Sequence, residues 1–189
     1  TFRSSDNNTK LEVYVGIPPD QIVFKDQEGQ MTAEVVRTVV ATDEERNEIE
    51  RQVETLRFTR GDKEFVEKAS FIPDAVGLGL APGNYRLAVQ LTDRGSGKWG
   101  IYHQELVVPS YSDSLALSDL EVAYSVTSAP GNPKFRKDDV WVVPLPTRAY
   151  RTNQRITLYY EIYNLHRNEF GQTHYKIAYA VKQEVRRSA

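Results

Sequence analysis

The sequence has no cysteine and no long apolar run. The first absence excludes disulfide bonds, catalytic thiolates and cysteine-ligated zinc, but it leaves the cellular compartment open. The second argues against a membrane-spanning helix, which needs roughly 20 apolar residues. The sequence shows no signal peptide, and it starts at Thr1 instead of Met, so we expect an excised or processed piece.

The chain also lacks a strong net charge, which is −2 at pH 7. Residues 1–109 hold 13 basic and 18 acidic side chains, whereas residues 110–189 hold 11 and 8. Neither half has the concentrated basic patch that is typical of nucleic-acid-binding proteins, so we predict no nucleic-acid partner. A hydrophobic content of 40% with 26% charged residues is ordinary for a folded globular chain.

Alternating apolar and polar residues dominate the first 109 residues. KLEVYVGI (residues 10–17) alternates in the way that a half-buried strand requires, because successive side chains point to opposite faces. QIVFK (21–25) and MTAEVVRTVVAT (31–42) predict two more strands. NYRLAVQLTD (84–93) and WGIYHQELVVP (99–109) flank the glycine-rich loop RGSGK and predict a hairpin.

Residues 42–58 fit two structures. Thr42 and Glu45 have the spacing of a helix-capping box, and Ile49, Val53 and Leu56 share one helical stripe. The alternative is a hairpin with a turn at DEERN and a strand at VETLRF. We favour the hairpin, because an all-β neighbourhood routinely overrides local propensity.

A second series of strands follows the polar linker SYSDS. The predicted strands cover residues 116–127, 138–146, 155–165 and 173–185. We therefore predict an all-β fold of two tandem immunoglobulin-like β-sandwich units, residues 1–109 and 115–189. The second unit offers about four strands, so we expect it to lack a layer. The missing layer could come from sequence beyond residue 189, from residues 1–109 or from another protein chain. We favour sequence beyond residue 189, with strand addition by a partner second, because an open edge invites pairing.

The stretch LAPGNYRLAVQLTD (80–93) joins a Pro-Gly turn to an alternating strand. In immunoglobulin-like sandwiches, a tyrosine at such a corner bonds its hydroxyl to nearby backbone. Tyr85 has the expected offset, with Leu87, Val89 and Leu91 on one face of the strand. A phosphate-binding loop would need several glycines opening a helix, and no helix follows. We predict a structural corner.

Four stretches carry a family resemblance: RSSDNNTKLEVYVGIP (3–18), LAPGNYRLAVQLTDRGSGKWG (80–100), VVPSYSDSLALSDLEVAYSV (107–126) and YYEIYNL with GQTHYKIAYAV (159–181). They resemble the β-rich region of bacterial GWxTD-domain proteins. The Gly-Trp-x-Thr-Asp motif itself is absent, and KWGIY is its nearest neighbour in the chain. The resemblance implies β architecture and an extracytoplasmic location (periplasm, outer membrane or cell surface), and it carries no activity.

The sequence contains few candidates for catalysis or metal binding. His166 and His174 bracket a loop that also holds Glu169, which could form a zinc site if the three converged; His103 lies elsewhere. We favour exposed strand and loop positions for all three histidines, because suitable residue types without a closed geometry are weak evidence. Accordingly we predict no metal and no cofactor.

Serine and acidic residues give no stronger signal. Ser118 and Asp119 could be assembled with a histidine into a triad, but we expect them to bond local backbone. The acidic run 43–48 reads as a solvated turn instead of a glycosidase carboxylate pair. Calcium could use Asp138 and Asp139, or Asp113 with Asp119, but no twelve-residue calcium loop is present. We predict that the protein is not an enzyme.

The two tryptophans are the candidates for a binding surface. Trp99 flanks the RGSGK loop, and aromatic residues are enriched at interfaces, so we predict that Trp99 is exposed and contacts a ligand. Trp141 lies between Val140 and Val142 and is expected in the core. The expected function is a non-enzymatic module for protein–protein contacts or structural support in a larger assembly. The alternative is a carbohydrate-binding module that uses exposed aromatic residues.

Overall fold

The computed structural model describes residues 1–4, 8–59 and 71–182. Its described residues form strands and two short 3-10 turns, Pro19–Gln21 and Pro133–Phe135, with no α-helix. The first eight strands are β1 (Phe2–Arg3), β2 (Thr9–Ile17), β3 (Lys25–Gln27), β4 (Gln30–Thr42), β5 (Glu48–Thr59), β6 (Ile72–Leu80), β7 (Gly83–Asp93) and β8 (Trp99–Val108). The other six are β9 (Ala116–Leu117), β10 (Glu121–Thr127), β11 (Arg136–Lys137), β12 (Val140–Pro144), β13 (Thr157–Tyr159) and β14 (Ile162–Tyr163).

Residues 2–108 form a β-sandwich, as predicted. One antiparallel sheet has the order β1-β2-β6, and the other places β4 between β5 and β7, with β8 beyond β7 and β3 beside the start of β4. The odd-numbered residues of β2 and β4 face inward and meet the buried side of β6 and β7. Leu78, Leu80, Val35 and Val39 are almost fully buried in this core. The period-two pattern therefore sets which face of each strand is covered.

The hairpin interpretation of residues 42–58 is confirmed. β4 and β5 pair antiparallel over most of their length, and Asp43 closes the turn between them by accepting a 2.7 Å bond from the Asn47 amide. The helical alternative fails because Ile49 and Val53 lie at exposed positions of β5, whereas Leu56 and Phe58 are buried. The predicted strand at 21–25 is wrong. The Pro-Pro step leads into a 3-10 turn there, and a strand begins only at Lys25.

Tyr85 is the predicted corner residue. Its hydroxyl donates a 2.9 Å hydrogen bond to the Ala81 carbonyl, four residues upstream. We expect Tyr85→Phe to lower the free energy of unfolding by about 0.5–1.5 kcal/mol, the net scale of one intramolecular hydrogen bond. Urea denaturation measures the change, with Tyr102→Phe as the control, because Tyr102 is 63% exposed and lies on the neighbouring strand. Equal stability of the two variants would contradict a structural role for the Tyr85 hydroxyl.

Residues 116–163 form two further antiparallel sheets. One has the order β11-β12-β10-β13, and β9 pairs with β14 to make the other. The sequence predicted a further strand over residues 173–185. That prediction is wrong for residues 173–182, which form no strand, and residues 183–185 lie outside the described chain. A strand needs a partner edge to accept its backbone hydrogen bonds, and no described strand of the same chain pairs with this segment.

The second unit packs one face against the first sandwich. The Phe2 and Tyr159 rings lie 6.1 Å apart, and the Tyr163 hydroxyl accepts a 3.0 Å bond from the Arg3 amide. Residues 1–109 therefore cover one side of the second unit, where the sequence favoured a layer from beyond residue 189. The exposed leucines of the second unit include Leu117, Leu120 and Leu158.

Lys137 lies at the centre of the contact between the units. Its ammonium is 2.6 Å from Glu12 Oε2 and 2.6 Å from Glu121 Oε2, and it sits 3.5 Å above the centre of the Phe2 ring. Both oxygens of Glu121 are buried without an aligned hydrogen bond, so this contact is an ion pair only. Glu12 is better satisfied, because Tyr14 and Lys10 also donate to it.

The two carboxylates at Lys137 have opposite pKa shifts. Burial by itself raises the pKa of Glu12, but Lys137 and the other donors outweigh burial, and the pKa lies below its ordinary value of 4.5. Burial dominates at Glu121 and raises its pKa above the same ordinary value, with Lys137 offsetting only part of the effect. The difference follows from the number of well-placed donors that each carboxylate receives.

A second ionic cluster lies inside the first sandwich. The Arg37 guanidinium, 2% exposed, bonds Asp74 on the facing sheet and lies 2.7 Å from Glu54 Oε2. Lys134 of the second unit reaches the same cluster, 3.0 Å from Asp74 Oδ1 and 2.8 Å from Glu54 Oε1. Sequence reasoning did not identify this cluster. The sequence pattern that could have indicated the cluster is a charged residue at an inward position of an alternating strand, as at Arg37 in β4 and Asp74 in β6.

Candidate functional site

Strand β8 is a long free edge of the first sandwich. Within the described chain it pairs with β7 alone, over all ten residues from Trp99 to Val108. Edge strands commonly carry lysine, proline or a bulge that blocks pairing with another chain. β8 has no lysine, no proline and one formally charged residue, Glu105. Its free backbone groups are therefore available to an added strand.

An open cleft runs beside this edge, between the two sheets. β1 pairs with only Thr9 and Lys10 of β2, so residues 11–17 of β2 form a second free edge in the described structure. The cleft has a volume of about 1690 Å³, larger than the roughly 300–1,000 Å³ of most small-molecule pockets. Inward-facing residues of β2, β7 and β8 line it: Leu11, Val13, Val15, Leu87, Val89, Leu91, Tyr102, Gln104 and Leu106.

Trp99 lies at the rim of the cleft. Its side chain is 67% exposed, on the outer face of β8, with Thr92 opposite it and Ile101 two residues further along. The Asp93 carboxylate positions the preceding loop by accepting bonds from the amides of Gly95 and Ser96. Burial by itself raises the pKa of Asp93, but the hydrogen bonds that its carboxylate accepts outweigh burial and hold the pKa below its ordinary value.

Glycines are required in this loop for two reasons. At Gly95 a Cβ atom would lie 2.8 Å from the Val23 carbonyl oxygen, which is too close for any other residue. Gly97 has a φ of +73°, in the region where residues with a side chain are strained. The loop therefore holds a fixed shape and places Trp99 at the start of β8.

Trp141 is half-buried in β12, where the Arg136 guanidinium lies 5.7 Å from the centre of its ring. Its indole nitrogen is buried and has no hydrogen-bond partner among the described residues. Thus Trp141 is partly covered instead of fully inside the core, and Trp99 is the more accessible of the two tryptophans.

The catalytic candidates do not assemble into a site. His103, His166, His174 and Glu169 are exposed, and the described residues contain no group of three side chains arranged to hold a metal ion. Ser118 behaves as predicted, since its hydroxyl donates to the Asp119 carbonyl and accepts from the Glu161 amide. The acidic run at 43–48 is a solvated turn in which Glu48 pairs with Arg51.

Comparison of the chain with protein-family models, with curated proteins and with solved structures finds no match. Among the described residues, no helix has the length and apolar character required to cross a bilayer. By its fold, the described part of the chain is a β-sandwich whose open side is bordered by two free strand edges, one in β8 and one in β2.

Proposed function

We propose that this protein is a non-enzymatic module that binds an extended segment of another polypeptide by strand addition. The observation that carries the proposal is the free edge of β8 beside an open apolar cleft. In strand addition, backbone hydrogen bonds supply affinity, and pockets for alternate side chains supply specificity. The free edge of β8 offers the backbone hydrogen bonds, and the inward positions at Tyr102, Gln104 and Leu106 line the space for alternate side chains.

The resemblance to GWxTD-domain proteins supports a location outside the cytoplasm, in the periplasm or at the cell surface. There the module would contribute contacts or structural support within a larger assembly. This location and this relationship are part of the proposal.

Hydrogen exchange on β8 tests strand addition. A synthetic ten-residue peptide of alternating valine and lysine is expected to protect those amides of residues 99–108 that point away from β7, whereas a peptide of the same composition in blocks is not. Protection follows because an added strand accepts hydrogen bonds from the free edge of β8. The prediction is wrong if the alternating peptide binds with residues 99–108 unprotected, or does not bind at all.

Carbohydrate binding is a second candidate, favoured by the exposure of Trp99 next to Ile101. Aromatic faces of this kind can stack on sugar rings. Titration calorimetry with oligosaccharides separates the two functions, because Trp99→Ala should abolish sugar binding and leave the peptide protection of β8 largely intact.

A further inference from the structure

The cleft has a candidate occupant within the same sequence. Residues 173–182, THYKIAYAVK, alternate apolar side chains at 175, 177, 179 and 181 with polar or small ones. The apolar members are all exposed: Tyr175 56%, Ile177 40%, Tyr179 73% and Val181 96%. The segment makes no backbone hydrogen bond with any residue that the structure describes. The segment therefore has the residue pattern of a β-strand but pairs with no strand among the described residues.

Charge does not oppose the match between this segment and the cleft. Among the five carboxylates that line the cleft, Glu12 and Glu121 pair with Lys137, and Asp119 pairs with the N-terminal ammonium. Two acidic and two basic side chains of the lining form no ion pair with a described residue: Asp20, Asp93, Lys98 and Arg148. The alternating apolar side chains of the segment, and not its two lysines, therefore select the cleft.

In its own chain the segment lies elsewhere. The Tyr179 hydroxyl is 2.9 Å from the Tyr160 hydroxyl, after a turn closed between Asn168 and Gln172. None of the residues 173–182 lines the cleft. The segment is thus held at the second unit while the cleft of the first unit stays open.

We propose that residues 173–182 of one copy insert as a strand beside β8 of a second copy, so that the chain associates with itself. This inference rests on the proposed function and names the partner. With side chains alternating along a strand, Tyr175, Ile177, Tyr179 and Val181 fill the cleft, and Lys176, Ala178 and Ala180 stay outside. Each copy has one donor segment and one acceptor cleft, so a reciprocal dimer and a longer head-to-tail assembly are both consistent with the inference.

Cysteine cross-linking tests the arrangement cleanly, because the chain has no cysteine. An acceptor with Tyr102→Cys is mixed under oxidising conditions with donors carrying one cysteine at 175, 177, 179 or 181. A disulfide requires close approach of the two side chains, so a cross-linked pair of chains is expected at one or more of these positions. Donors with cysteine at 176, 178 or 180 are the controls and should not cross-link. An acceptor with His103→Cys, on the outer face, should give the reverse parity.

Three results overturn the inference. One is cross-linking that ignores parity, and another is no cross-linking at any position. The third concerns a single chain that carries both Tyr102→Cys and Ile177→Cys. If its disulfide forms within one chain and the protein stays monomeric, the segment lies in its own cleft. If the alternating peptide protects β8 but the parity pattern fails, strand addition stands and the second copy is the wrong partner. If both fail, the proposed function fails with it.

Discussion

Asp74→Asn is expected to lower the free energy of unfolding by about 3–5 kcal/mol. Asp74 is 4% exposed and bonds the buried Arg37 guanidinium. Without the Asp74 carboxylate, Arg37 keeps Glu54 as its acidic partner, and the Glu54 side chain is 42% exposed. Urea denaturation followed by circular dichroism measures the loss.

Two variants calibrate this prediction. Arg37→Met should cost less than Asp74→Asn, because Asp74 can still pair with Lys134. Arg57→Met removes an ion pair of similar chemistry at the surface, where the Arg57 side chain is 79% exposed, and should change stability by less than about 1 kcal/mol. A loss for Asp74→Asn that does not exceed the loss for Arg57→Met would show that the buried pair is not a structural requirement.

Lys137→Met is expected to lower the free energy of unfolding by about 3–5 kcal/mol at neutral pH. The substitution keeps most of the apolar part of the side chain but leaves Glu12 and Glu121 without the ammonium that lies between them. Both carboxylates can be neutralised by protonation, so the difference between the variant and the native protein should narrow as the pH falls. Chemical denaturation across the acidic range measures it, and a difference that does not change with pH would contradict this account.

The two carboxylates also predict effects of opposite sign. The depressed pKa of Glu12 means that its stabilisation is present above its ordinary pKa of 4.5 and is lost as the pH falls through the folded value. The raised pKa of Glu121 means that its ionisation destabilises the fold as the pH rises through the folded value. At neutral pH, Glu12→Gln should therefore destabilise the protein, and Glu121→Gln should stabilise it or leave it unchanged.

Period-two alternation was sufficient to predict most of the first sandwich. It identified β2, β4, β7 and β8 and the inward faces of β2 and β7, since those strands are covered on one side only. It named no strand at 72–80, because Gly77 and Gly79 weaken the β signal of β6. It also predicted a strand at 173–185, where the alternating pattern is present but residues 173–182 pair with no described strand.

The candidate site was only partly predictable. Trp99 was identified because a tryptophan beside a polar loop indicates exposure. The cleft could not be predicted from the sequence, since it depends on how few residues of β2 are covered by β1. Likewise, Lys137 and Glu12 are 125 positions apart in the sequence, and Arg37 and Asp74 are 37 positions apart. No local sequence pattern predicts contacts between residues so far apart.

The short segment around the second 3-10 turn connects the stability of the two units through ion pairs. Lys134 enters the ionic cluster of the first sandwich, and Lys137, three residues later, holds the outer face of β2. Loss of the second unit would remove Lys134 from Asp74, which would keep Arg37, and Lys137 from Glu12, which would keep Lys10. We therefore expect the two units, although separated by the linker at 109–115, to unfold in one cooperative transition.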